Sequence, residues 1–385
     1  MEANRRRFLQ TIGPAGLIPA LPAFGLQAGA GPVVHEVAAA SPDESAQPKY
    51  SIRFSVIGLD HPHILGMTAA VKRGGGQLDS VYSTDPKALA DFQAHFGAVK
   101  IARSEDEILS DASIQLVAGA PIPDQRAALA IRVMRHGKDY LSDKPGVITL
   151  EQLAEVRKTV RETGRIYAIM FSERLEVRAA VKAGELVQAG AIGRVVQTVN
   201  LAPHQVNPSS RPDWFWDPAR YGGILCDVGS HQVDQFLYYT GSTTAEVAAS
   251  QVANVAYPDK PHFQDFGDMM LHGNKGAGYV RVDWYTPKGL GVWGDGRLFI
   301  LGTDGYIEAR KYVDIAGRPG GNHLFIVDRN EARYMDCSKV DLPFGRQFVG
   351  DIVNRTHIAQ DQEEALLATQ LVLEAQRDAK RLSFT

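Results

Sequence analysis

Asp227 and His231 stand four residues apart in the run Tyr221-Gly222-Gly223-Ile224-Leu225-Cys226-Asp227-Val228-Gly229-Ser230-His231. On a helix that spacing puts both side chains on one face, where they converge. An imidazole is the natural proton acceptor near neutral pH, and a carboxylate one turn away orients it or meets a substrate hydroxyl. The diglycine before them lets the chain turn tightly into that helix. Two further groups follow apolar runs: Asp60-His61-Pro62-His63 and Asp143-Lys144-Pro145-Gly146. His-x-His, and Asp and His four apart, are also ligand spacings for a divalent ion such as manganese or zinc. His61, His63, Asp227 and His231 are therefore an alternative metal set.

Elements must bring these groups together. Residues 50–57 alternate and then turn wholly apolar, as a buried first strand does, and Gly58 ends it. Strands at 78–82, 114–118, 140–141 and 167–171 alternate with helices at 64–72, 86–96, 123–136 and 149–163. That alternation predicts a doubly wound, Rossmann-type parallel sheet over 50–172. From 173 to 385 the texture changes. One helix at 177–188 precedes strands at 194–201, 246–256, 265–271, 277–284, 297–301 and 324–327, several of them alternating. The expectation is an α/β domain with a large open, mostly antiparallel sheet. It binds substrate, assembles homo-oligomers through that sheet, and ends in a periodic helix at 362–381 that returns toward the first domain.

Composition removes other classes. The 385 residues carry 41 basic and 44 acidic side chains, a net charge of −3, so no basic excess exists for nucleic acid. No apolar run approaches the ~20 residues of a transmembrane helix. Two cysteines, Cys226 and Cys337, make no disulfide scaffold and no CxxC knuckle.

The long pattern GG-x-L-x-D-x-G-x-H-x-x-D at 222–234, with Asp143-Lys144-Pro145-Gly146 ending a strand and Gly302-Thr303-Asp304-Gly305 in the later sheet, resembles the Gfo/Idh/MocA oxidoreductases. The resemblance covers roughly residues 50–385. It implies a nicotinamide, NAD or NADP, held between two domains, and oxidation or reduction of a ring hydroxyl of a sugar, glycoside or cyclitol. In some members that redox step assists glycoside cleavage. It places the catalytic Lys, Asp and His on Lys144, Asp227 and His231. An ammonium stabilises a developing alkoxide, so Lys144 polarises the oxygen, His231 takes the proton, and Asp227 orients the imidazole or binds substrate.

The cofactor loops depart from the family. Only Gly58 of a GxGxxG turn is present, with Asp60 and His63 where the other glycines would stand. Gly58, Asp60, His61, Pro62 and His63 are nonetheless the expected phosphate turn. Ser83 and Thr84 stand where a ribose carboxylate is usual, and Lys144 is expected to reach the nicotinamide as well. Ala120-Pro121-Ile122-Pro123 lacks the usual Asn and His. Two rivals follow: a nicotinamide-independent, metal-dependent hydrolase or lyase on carbohydrate, and a non-catalytic sugar-binding protein on the same scaffold.

Substrate contacts are open between two readings. Arg174 falls where the family often carries a substrate-facing arginine, or it makes a surface salt bridge. His204, Trp214, Trp216 and Tyr221 precede the Asp227 helix, where aromatic faces stack on sugar rings or fill the core.

At the N-terminus, Arg5-Arg6-Arg7-Phe8-Leu9, a mildly apolar stretch and Ala28-Gly29-Ala30 resemble a twin-arginine export signal over 1–30. That predicts a periplasmic or extracytoplasmic protein exported folded. Residues 31–49 read as a linker.

Overall fold

The computed structural model describes residues 34–38 and 47–384, and the export segment expected at 1–30 lies outside them. Strands Lys100–Ile101, Gly76–Tyr82, Ile52–Ile57, Leu116–Gly119, Asp139–Ser142 and Tyr167–Ile169 lie side by side in that order, every neighbouring pair parallel. In chain order that is 3-2-1-4-5-6, the doubly wound sheet expected from the alternation. Leu116–Gly119 and Asp139–Ser142 are buried at every residue because helices cover the sheet. Helix starts follow their caps. Asp85 accepts the amide of Lys87 ahead of Pro86–Phe96, and Thr149 that of Gln152 ahead of Leu150–Thr163. The carboxyl ends of the strands share one rim, and Gly58, Ser83, Ala120 and Asp143 stand on it.

The outer edge of this sheet, Tyr167–Ile169, is met by side chains. Gln362 accepts the amide of Tyr167 (2.8 Å), while Gln360 accepts the amide of Ile169 (3.0 Å) and donates to its carbonyl (2.9 Å). Gln362 opens the last helix, Gln362–Asp378, which packs on both halves of the molecule.

The second sheet has ten strands in the order Val34–Ala38, Ala332–Asp336, His323–Val327, Tyr306–Arg310, Arg297–Gly302, Val195–Pro203, Ala277–Asp283, Phe266–Gly273, Ala245–Ala253 and Lys380–Arg381. It is mostly antiparallel, with Val195–Pro203 parallel to Ala277–Asp283. Helices Arg178–Gln188, Ser230–Thr240 and Gln362–Asp378 pack on one face. The other face carries the register row Tyr279, Val199, Phe299, Glu308, Phe325, and every member of it is only partly buried.

The expected linker needs correction, because its residues Val34–Ala38 form a strand parallel to Ala332–Asp336. That edge offers unpaired backbone groups, and a short extended segment satisfies them. The helix expected to carry both Asp227 and His231 is also interrupted. Ile224–Asp227 ends there, Val228 and Gly229 turn, and Ser230–Thr240 starts anew. A Cβ on Gly229 would sit 2.5 Å from the Leu225 carbonyl oxygen, so only glycine fits this turn.

Candidate active site

A cavity of about 410 Å³ opens between the rim of the parallel sheet and the start of the wide sheet. Lys144 enters it from the end of Asp139–Ser142. Its Nζ donates to Asp227 Oδ1 at 2.8 Å and to the Asp227 carbonyl at 3.0 Å, which ties the two halves together. His231 lines the same cavity. Burial, and then the Lys144 charge, push its pKa well below the usual imidazole value, so the ring is neutral near pH 7. Its Nδ1 is buried without a protein partner. Asp227 therefore does not orient this imidazole, and the expectation that it could is corrected. The break at Val228-Gly229 takes the two off a shared helix, and Lys144 holds the carboxylate.

Asp143 lies beneath Lys144 and is fully buried. Oδ1 accepts the Lys144 amide (2.7 Å) and faces His63 Nδ1 (2.9 Å), while Oδ2 accepts from Arg126 Nη2 (2.8 Å) and lies 3.3 Å from His61 Nδ1. Burial pushes its pKa up, but Arg126 and the two imidazoles outweigh that and hold it well below the carboxylate range. The His63 amide also approaches His61 Nδ1, at 3.3 Å. Burial, then His63, keep His61 well below its usual value.

The far wall comes from the wide sheet and its loops. Lys311 pairs with Glu173, whose pKa falls because that ammonium overcomes its burial. His204 sits 4.3 Å from the Trp293 ring and 5.7 Å from Trp284, and burial brings its pKa down to about 4. Trp214 lines the cavity with its ring 6.5 Å from His61.

Three expected substrate residues are elsewhere. Arg174 is buried, makes two hydrogen bonds to Asp234 (2.6 and 2.8 Å) and stacks on Tyr238, so it faces neither substrate nor solvent. Tyr221 is 1% exposed and stacks on Phe215. Trp216 packs on Phe263 at 4.9 Å. Aromatic neighbours are plentiful in this loop, and they drew two of its rings inward. The alternative metal set does not assemble either. His61 and His63 converge on Asp143, within 4.8 Å, rather than on Asp227 and His231. Arg126 already neutralises that carboxylate, so a divalent ion there would meet a guanidinium.

Comparison with known proteins agrees. An oxidoreductase-family model with an NAD-binding Rossmann fold matches residues 52–171, and a GFO/IDH/MocA C-terminal domain model matches 180–308. A solved protein of Erwinia carotovora atroseptica SCRI1043, provisionally classed as an oxidoreductase, superposes with TM-score 0.84 at 46% identity, over 86% of this chain and 100% of that one. The chain belongs to the Gfo/Idh/MocA family. Among curated members it is similar to scyllo-inositol 2-dehydrogenase (NAD(+)) of Bacillus subtilis, 23% identical over 73% of this chain and 81% of that one. It is similar also to 1,5-anhydro-D-fructose reductase of Ensifer adhaerens, 26% identical over 51% of this chain and 59% of that one. Levoglucosan dehydrogenase, solved with NADH and levoglucosan, shares the fold at TM-score 0.71 and 16% identity, over 85% of this chain and 97% of that one.

As a Gfo/Idh/MocA member the chain is an NAD(P)-dependent oxidoreductase, and its rim fits the cofactor. Gly58 has φ +84°, and a Cβ there would meet Pro121 at 2.9 Å, so the first strand can turn under a ligand only as glycine. Beside it a cleft of about 290 Å³ is lined by Gly58, Asp60, Ser83, Thr84 and Arg132. Asp85 is not the missing ribose carboxylate, because it caps its own helix. Ser83 and Thr84 line this cleft, whereas His61, Pro62 and His63 of the expected phosphate turn line the adjoining cavity with Lys144. Burial raises the pKa of Asp60.

Sequence reasoning missed Arg126, Asp143, Glu173, Arg211, Trp284, Trp293 and Lys311. Asp143 had a signal, since it adjoins Lys144 in the motif. Lys311 and Trp293 had none, because only strand pairing brings them to the rim.

Proposed function

We propose that this chain oxidises a ring hydroxyl of a sugar, glycoside or cyclitol, and reduces the matching ring ketone, outside the cytoplasm. The observation that carries the reading is that Lys144, from the Rossmann strand end, and His231, from the other half, line one cavity with aromatic walls. Bound NAD(P)+ supplies the hydride acceptor. The alcohol carbon gives up a hydride, the hydroxyl gives its proton to neutral His231, and a ketone remains. Lys144 lowers the cost of negative charge on the oxygen in between. His231 has no carboxylate on Nδ1 to stabilise the imidazolium that forms. Trp214, Trp284 and Trp293 offer faces to a pyranose or cyclitol ring, and the curated relatives act on sugars and cyclitols.

The test is a panel of ring sugars, glycosides and cyclitols offered with NAD+ or NADP+, following reduced nicotinamide by absorbance. Reduction with at least one ring polyol is expected. No reduction across the panel, together with no thermal shift from either cofactor, would overturn the reading. Nitrophenyl glycosides in the same panel score cleavage: release that depends on catalytic NAD+ marks transient oxidation followed by elimination.

The paired arginines support export by the twin-arginine route, and the partly buried Tyr279–Val199–Phe299–Phe325 row supports assembly of two copies through the wide sheet. One experiment addresses both. Cells making the native chain or the Arg5→Lys/Arg6→Lys variant are fractionated, and the extracytoplasmic species is weighed by light scattering. Export should be lost in the variant, and the native species should have at least twice the chain mass. Equal extracytoplasmic amounts would overturn export, and a monomer mass would overturn assembly.

A further inference from the structure

Four cationic side chains line the main cavity: Arg126, Lys144, Lys311 and Arg211. Three have a carboxylate partner, at 2.8 Å (Asp143), 2.8 Å (Asp227) and 2.5 Å (Glu173) respectively. Arg211 has none among the described residues. Its Nε donates to the Val206 carbonyl at 2.6 Å and Nη2 to the Gln205 carbonyl at 3.3 Å. Its guanidinium lies 4.3 Å from the Phe215 ring and 5.1 Å from Trp284. These contacts fix the plane of the group and leave its charge uncancelled. Nη1, with two N–H donors, has no acceptor among the described residues. Burial lowers the pKa of Arg211, the mark of a cation partly removed from water. The carboxylate that acts on it through space, Asp227, is already held by Lys144.

Three of the four imidazoles that line the cavity cannot play this part. Burial keeps His61, His204 and His231 uncharged near pH 7. His204 Nδ1 faces the Ala202 carbonyl at 3.1 Å and so donates to it, which leaves Nε2 as an acceptor suited to a hydroxyl.

We propose that Arg211 is the receptor for an oxyanion on the substrate, so that the favoured ring carries a carboxylate or a phosphate as well as the reacting hydroxyl. This rests on the redox reading of the cavity and narrows its substrate class. A planar guanidinium fixed at two nitrogens, with the third free, suits either group. The anion supplies the countercharge that the fold provides for the other three cations and withholds here.

Binding separates this inference from the chemistry. Calorimetry on NAD(P)-loaded protein compares matched rings: glucose, glucuronate and glucose 6-phosphate, with the galactose and mannose counterparts. At least one acidic ring should bind tenfold or more tightly than its neutral partner, and whether it is the uronate or the phosphate identifies the oxyanion. Arg211→Gln should weaken that ring by about ten- to a hundredfold and leave the neutral ring unchanged, and Arg211→Lys should restore part of the difference. Equal binding of acidic and neutral rings, binding of neither, or a preference that survives Arg211→Gln would overturn the inference. Weakening of acidic and neutral rings alike in Arg211→Gln would also overturn it, because that is the result of a residue that only braces the loop. An acid preference without formation of reduced nicotinamide would sink the redox reading alone. Turnover of acidic and neutral rings alike untouched by Arg211→Gln would sink this inference alone.

Discussion

Replacing Lys144 with methionine is expected to lower kcat at least about a hundredfold. The side chain keeps its unbranched shape, one atom shorter, and loses the ammonium. Negative charge developing on the substrate oxygen then has no ammonium beside it. Arginine at this position should not rescue activity, since a planar fork cannot occupy the space of a compact ammonium donating to Asp227 Oδ1 and to the backbone carbonyl of the same residue. Single-turnover measurement of nicotinamide reduction separates the chemical step from product release. A kcat within a few fold of wild type in Lys144→Met would remove Lys144 from the mechanism.

Arg126→Met should destabilise the fold by about 3–5 kcal/mol. The guanidinium is wholly buried, donates to the carbonyls of Pro121, Lys144 and Pro145, and pairs with Asp143. Without it the Asp143 carboxylate stays buried with only two imidazoles and the Lys144 amide facing it. Urea midpoints read the loss. The double variant Arg126→Met/Asp143→Asn should be less destabilised than Arg126→Met alone, because no uncompensated charge remains inside. Equal stability of Arg126→Met and wild type would mean that the pair contributes nothing to the fold.

The parallel sheet was legible because its strands are apolar runs punctuated by capped helices, a local signal that tertiary structure does not disturb. Lys144 and His231, which line one cavity, were legible as candidates because each stands in a distinctive string at an element end. The partner of Asp227 was not. Spacing offered His231 four residues on, and the structure offers Lys144 from the other half, eighty-three positions back in the chain. Arg174 was misplaced for the same reason: its partner Asp234 lies sixty residues further on, and burial sealed the pair. Strands Tyr306–Arg310 and Ala332–Asp336 escaped notice because each is five residues long and depends on neighbours for its identity. With them went Lys311, which closes the cavity wall beside Glu173.

Gln360 and Gln362 have a wider consequence for how this molecule meets others. Their side-chain amides take the hydrogen-bonding positions that a seventh strand would use along Tyr167–Ile169. A stray extended peptide arriving there finds its docking rail already threaded, so the parallel sheet cannot be lengthened by a neighbour at that border. At the wide sheet the chain's own segment Val34–Ala38 pairs with Ala332–Asp336 and is itself the border strand. With that border of the parallel sheet occupied, a neighbour meets side chains there rather than a free strand edge.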